Sequence, residues 1–245
     1  MFADRVTLFV VAIVFLATLV RSAFGFGEAL VAVPLLALLI PVEVAAPLAV
    51  LVSITVAGIA VVQDWHKVHV GSAWRLVVST LFGIPLGLLL LTAVPEGVVK
   101  ASLAVVILAF SAYCLARRTP FHLKDDRPAW LFGFAAGVLG GAYGMNGPPL
   151  VVYGALRRWP PEQFRATLQG YFLPASLVGM AGYWLAGLWV PAVTRYYLLS
   201  LAAALAATFL GRAANKRMKA DRFVFYVHVG LLAVGLTLLA QSLWR

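Results

Sequence analysis

Phe24-Gly25-Phe26-Gly27-Glu28-Ala29 breaks an otherwise continuous apolar stretch near the start of the chain, and Tyr143-Gly144-Met145-Asn146-Gly147-Pro148-Pro149 breaks another in the same manner. A constant offset of 119 residues, with no gap, places Gly25 on Gly144, Val33 on Val152, Pro41 on Pro160 and Glu43 on Glu162. Overall identity across this window is low, and what the two stretches share is their matching interruptions and caps. Glycine admits backbone angles closed to other residues, and proline cannot donate to a helix ladder, so each cluster ends one helix and starts another. The chain therefore divides into repeat 1 (1–120) and repeat 2 (121–245), each with a broken helix at the same place.

The composition says where such helices reside. Of 245 residues, 63% are hydrophobic and 11% charged, with a mean hydropathy of +0.96. A soluble domain carries roughly a quarter charged residues. Only a lipid bilayer takes up so much apolar surface, so one all-α integral membrane domain is expected over 1–245. Cys114 is the single cysteine and excludes an intramolecular disulfide. The net charge of +10 is concentrated in a few connections, as membrane topology requires, and implies no nucleic-acid partner. Residues 1–24 have the look of a signal peptide, with Arg5, an apolar run and small residues near Ser22-Ala23. Residues 129–145 are their internal counterpart, so they are read as part of the fold.

Apolar runs predict helices over 6–24, 29–40, 43–63, 72–92 and 96–116, then 129–143, 148–158, 162–187, 191–211 and 222–244. Most reach the ~20 residues needed to cross a ~30 Å hydrocarbon core. The runs 29–40 and 148–158 extend only about 18 and 16 Å at helical rise, which makes them half-helices or re-entrant arms. About eight transmembrane helices plus two half-helices are expected.

Thirteen of the 19 basic residues can lie on one face: Lys67 and Arg75; Arg117, Arg118, Lys124 and Arg127; Arg157 and Arg158; and Arg212, Lys216, Arg217, Lys219 and Arg222. The other face keeps Arg5, Lys100, Arg195 and Arg245, which leaves Arg21 and Arg165 within or near helices. This asymmetry makes the first face cytoplasmic. The connection 93–95 is then outside and its counterpart 212–222 inside. An odd number of elements per half inverts the second half, an arrangement suited to alternating access. Both termini are expected outside the inner (plasma) membrane. Gly133, Gly137 and Gly141 share one helix face and Gly83 and Gly87 another, as close helix packing demands. All seven tryptophans sit near predicted helix ends, where interfacial anchors belong.

The chain resembles the TauE/SafE sulfite exporter family, also called the toluenesulfonate uptake permease family. The resemblance rests on Gly25-Phe26-Gly27-Glu28-Ala29-Leu30-Val31-Ala32-Val33-Pro34, followed by Pro41 and Ala45-Ala46. It recurs more specifically in Gly140-Gly141-Ala142-Tyr143-Gly144-Met145-Asn146-Gly147-Pro148-Pro149-Leu150, followed by Pro160, Glu162, Phe164 and Arg165-Ala166-Thr167. It implies a secondary permease for small sulfur-containing or organic anions such as sulfite, sulfonates or sulfoacetate. Where relatives tend to carry a glycine run in the first break, this chain has Glu28, which repels an anion while ionised.

A helix N-terminus offers unpaired N–H groups and about half a positive charge. Half-helices starting near 29 and 148 could therefore aim at one midplane site. The expected substrate-binding residues are Phe24, Gly25, Gly27, Glu28, Tyr143, Gly144, Asn146, Gly147, Pro148, Arg165 and Gln169. Asn146 would donate its amide, Gly27 and Gly147 allow close approach, and Pro148 suits a first helical turn. Arg165 and Gln169 share a helix face. Arg165 either forks onto an anion or snorkels and pairs with Glu162. Glu28 and Arg21 either pair with each other, or Glu28 takes up a proton and couples transport to the proton gradient.

No metal or other cofactor is expected. His66 and His69 lie in a short connection without a third ligand, His122 and His228 are isolated, and no phosphate-binding glycine loop appears. Two other classes stay open: an anion channel, and an intramembrane lipid-modifying enzyme, for which no serine has an evident base. Which anion moves, in which direction, and in what oligomeric state the sequence leaves open.

Overall fold

A computed structural model describes residues 2–64, 70–116, 122–215, 229 and 231–240. The side chains of Glu162, Arg165 and Arg212 fall outside this description, as do His66, Lys67, His69, Arg117, Arg118, His228, Trp65, Trp244, Arg245 and most of the 212–222 connection. The first half comprises α1 (Phe2–Phe24), α2 (Glu28–Ala37), α3 (Val42–Asp64), α4 (Val70–Ala93) and α5 (Glu96–Ala116). The second comprises α6 (Ala129–Tyr143), α7 (Gly147–Leu156), α8 (Pro161–Leu185), α9 (Pro191–Asn215) and α10 (Leu231–Ala240). All regular structure among the described residues is helical. Of the run expected over 222–244, only α10 and Val229 lie within the described residues.

Among the described residues, α1, α3, α4, α5 and α9 combine the length and apolarity needed to cross a membrane. α8 has 25 residues, about 37 Å of helix, with a more polar first half that includes Gln163, Thr167 and Gln169. Large apolar side chains such as Leu8, Phe82, Leu131, Leu185 and Phe209 point outward, which is affordable only in lipid. This is a multi-pass membrane protein.

The 119-residue offset reappears in the element bounds. It carries the end of α1 onto the end of α6, both limits of α2 onto those of α7, and the start of α3 onto the start of α8. Packing follows the same relation. α1 lies chiefly against α9 and α6 against α4, while α3 and α8 pack on each other. Each half thus lends its broken helix to the other half.

Glycines make the α4–α6 contact possible. A Cβ on Gly83 would meet Phe134 O at 2.2 Å, and one on Gly87 would meet Val138 O at 2.1 Å. Thr80 Oγ1 donates across the seam to Gly133 O at 2.8 Å. At the α1–α9 contact, a Cβ on Gly211 would meet Ser22 Cβ at 2.6 Å and Leu19 O at 2.7 Å. Leu19 and Ser22 are the offset counterparts of Val138 and Gly141, so the two seams use the same positions on the broken helices.

α7 turns back toward the end from which α6 starts. Leu123 N donates to Leu156 O at 3.0 Å, Arg157 pairs with Asp126 at 3.0 Å, and Tyr153 donates to Asp126 Oδ1 at 2.8 Å. Arg75 approaches the same carboxylate at 3.6 Å, and Trp74 meets Trp130 edge-on at 5.7 Å. The start of α4, the α5–α6 connection and the end of α7 therefore share one end of the bundle. α7 is a short helix, about 15 Å long, that doubles back on α6.

Candidate functional site

The first break is built from two left-handed glycines. Gly25 (φ 87°) closes α1 by donating to Arg21 O at 2.6 Å, and Gly27 (φ 99°) opens α2. A Cβ is disfavoured at such angles, so the sequence needs glycine at both places. Val31 N bonds Gly27 O at 3.0 Å. The N–H groups of Glu28, Ala29 and Leu30 precede that first helical bond and have no partner within α2.

The second break uses different means. Gly144 (φ 66°) caps α6 by donating to Gly140 O at 2.8 Å, and Met145 N reaches Leu139 O at 3.1 Å. Asn146 then starts α7 without its side chain capping it. Pro148 and Pro149 follow and bring no N–H. The two arms are thus unequal: α2 supplies backbone donors that are unpaired within the helix, whereas α7 supplies its dipole and a side-chain amide.

Both starts border one cavity, with about 30 Å³ open to the centre of a water molecule. That is room for about two waters or a compact oxyanion. Its lining comes from α1 (Arg21), the first break and α2 (Phe26 to Leu30), α3 (Ser53), the second break and α7 (Gly144 to Pro148), and α8 (Phe172).

A buried polar network ties these walls together. Arg21 is ion-paired with Glu28. Its Nη1 also donates to Ser53 Oγ at 2.7 Å, and its Nη2 to Gln169 Oε1 at 3.1 Å. Thr18 Oγ1 donates to Glu28 Oε1 at 3.0 Å, and Ser53 and Ser176 hydroxyls lie 3.2 Å apart. Gln169 Nε2 in turn donates to Gly25 O at 2.9 Å. The guanidinium lies over the Phe172 ring, 5.0 Å from its centroid, an arrangement that favours a desolvated cation.

Asn146 is held from two sides. Its Nδ2 donates to Tyr171 OH at 3.3 Å, and that hydroxyl is fixed by Thr80 Oγ1 at 2.6 Å. Behind it, a Cβ at Gly140 would come within 2.7–2.9 Å of the Asn146 side chain. Gly140 is therefore the space in which the Asn146 amide sits.

Of the residues expected from sequence, Gly27, Glu28, Gly144, Asn146, Gly147 and Pro148 line the cavity. Gly25 and Gln169 belong to the network behind it. Phe24 and Tyr143 do not line it: each is the last residue of its helix and turns away from the break. Phe24 packs on the apolar core, and the Tyr143 hydroxyl meets Ser102 Oγ at 2.7 Å. The Arg165 side chain lies outside the described residues. Sequence reasoning missed Phe26, Ala29, Leu30, Ser53, Met145 and Phe172, and noted Arg21 without assigning it to binding. Phe172, three residues after Gln169, was legible from helical spacing; Ser53 carried no such signal.

A model of the Sulfite exporter TauE/SafE family matches residues 10–238. No curated protein and no solved structure matches the chain significantly.

Proposed function

The chain belongs to the TauE/SafE sulfite exporter family, and from that premise we propose that it is a secondary permease for small sulfur-containing or organic anions, sulfite, sulfonates and sulfoacetate among them. The observation that carries this reading is a cavity where both helix breaks meet around a buried guanidinium. The N–H groups that open α2, the α7 dipole and the Asn146 amide all favour negative charge there. The cavity's size suits a compact anion such as sulfite and requires opening for larger sulfonates.

The proposed mechanism is alternating access about an inverted repeat. Its support is the exchange of packing partners under the 119-residue offset, together with the return of α7 to the end from which α6 starts. With the 93–95 connection taken as outside and its counterpart 212–222 as inside, the second half is inverted relative to the first. The ends of α7 and the α5–α6 connection carry Arg157, Arg158, Lys124 and Arg127 and are assigned to the cytoplasm, with both termini outside. Glu28, buried in the cavity, is the residue assigned to proton coupling.

Counterflow in proteoliposomes tests the proposal. Liposomes loaded with unlabelled sulfite or sulfoacetate should transiently accumulate the labelled anion, and Asn146→Ala should abolish this. Net flux without counterflow identifies a channel; no flux of any anion rejects the permease reading.

A further inference from the structure

Arg21 and Glu28 are 2% and 3% exposed. An uncompensated charge at such depth is expensive, so the two neutralise each other. The pairing does not exhaust the guanidinium. It is held by Ser53, Gln169 and the Phe172 face, and its Nε–H has no hydrogen-bond partner among the described residues. A planar fork fixed by α1, α3 and α8 is a ready receptor for a carboxylate, sulfite or sulfonate. Glu28 places its own carboxylate where such a ligand would bind.

We infer that Glu28 is a tethered occupant of the anion site: Arg21 binds the transported anion, Glu28 takes up one proton as the anion displaces it, and the site carries a monoanion together with one proton. This rests on the permease reading above. Empty, the pair sums to zero charge. A monoanion added alone would leave the cavity at one net negative charge, and a proton on the Glu28 carboxylate restores zero. The protonated acid keeps a partner, because the Thr18 hydroxyl 3.0 Å away accepts as readily as it donates. Empty and loaded forms are then both neutral, whereas a dianion would move with net negative charge.

The surroundings of Glu28, among the described residues, offer the proton no other destination nearby. Among the described residues, Arg21 of α1 is the charged group bonded to Glu28, and Thr18, Ser53, Gln169 and Phe172 are neutral. On α3, Glu43 lies in the first turn, beside the far end of α2. On α5, Lys100 and Glu96 pair with each other at 2.9 Å; Tyr113 and Cys114 lie at that helix's other end. On α7, Tyr153 is bonded to Asp126.

The test uses the full chain in proteoliposomes with labelled methanesulfonate, which keeps one negative charge across the pH range. The wild type should accumulate it when the interior is alkaline. Initial uptake should rise as external pH falls, up to about tenfold per pH unit for one coupled proton, and should ignore an imposed membrane potential. Glu28→Gln should make any remaining exchange flat with pH and abolish accumulation. Arg21→Gln strands a buried carboxylate, so the neutral double variant Arg21→Gln/Glu28→Gln is the better test; it should still lose methanesulfonate binding. Voltage-driven, pH-independent uptake by the wild type overturns the proposal, as does a double variant that binds normally. Sulfite uptake that rises with pH, following the dianion rather than hydrogensulfite, overturns the monoanion assignment. No movement of either anion instead rejects the parent reading.

Discussion

Gln169 of α8 accepts a hydrogen bond from Arg21 of α1 at 3.1 Å and passes one on to the Gly25 carbonyl at 2.9 Å. One amide thus holds both the buried cation and the backbone of the first break, across 148 residues of sequence. Replacing it by alanine leaves an Arg21 N–H and the Gly25 carbonyl unpaired. Gln169→Ala should lose about 1–3 kcal/mol of stability, read as a lower unfolding temperature in detergent, and should weaken anion binding. An isosteric Gln169→Glu change would place a second carboxylate on Arg21 and should weaken anion binding further.

Gly140 makes a sharper case, because only its missing side chain matters. In Gly140→Ala the new methyl would overlap the Asn146 amide and push it from the cavity. Binding should fall at least tenfold while the protein still folds. Gly179→Ala is the control: nothing lies within 4 Å of a Cβ there, and alanine in a helix interior should be neutral or stabilising by about 0.5–1 kcal/mol. Binding isotherms on both variants check the contrast.

Asp126 gathers Arg157, Arg75 and Tyr153 at the end shared by α4, α6 and α7. Its removal leaves two guanidinium groups without that carboxylate and frees the end of α7. Asp126→Ala should cost about 1–3 kcal/mol, less at high salt because the pairs are partly exposed and already screened. Unfolding at two ionic strengths measures this.

Cys114 as the single cysteine makes topology directly accessible. In a Cys114→Ala background, a cysteine at Lys124 should react with an impermeant thiol reagent only from the cytoplasm, and one at Gly187 only from outside. Labelling of both from the same side would contradict the proposed orientation.

The elements were legible because their ends are written in glycine and proline. α2 was expected over 29–40 and ends at Ala37, where Leu39 N turns to Leu36 O at 2.8 Å ahead of Pro41, which disfavours helix before it. α7 was expected to reach 158 and ends at Leu156, since Arg158 adopts φ 52°. The glycine faces of α4 and α6 were readable from spacing, though not that they meet each other. The equivalence of Gly87 and Gly211 was hidden because their separation departs from the 119-residue offset that governs the breaks. At the site, the glycines and Asn146 announced themselves. Ser53 and Phe172 join Arg21 only through tertiary packing, and the phase of α6 turns Tyr143 toward Ser102.

The central claim, that an anion binds where the two breaks meet, is tested most directly by thermal unfolding of the purified protein with sulfite, sulfoacetate, methanesulfonate and small carboxylates, against sulfate and chloride. A ligand at a hundred times its dissociation constant adds about 2.7 kcal/mol to the native state. At least one sulfur-containing or organic anion should raise the Tm, an effect retained in Gly179→Ala and lost in Asn146→Ala. An equal shift in wild type and Asn146→Ala would place the anion elsewhere and contradict it.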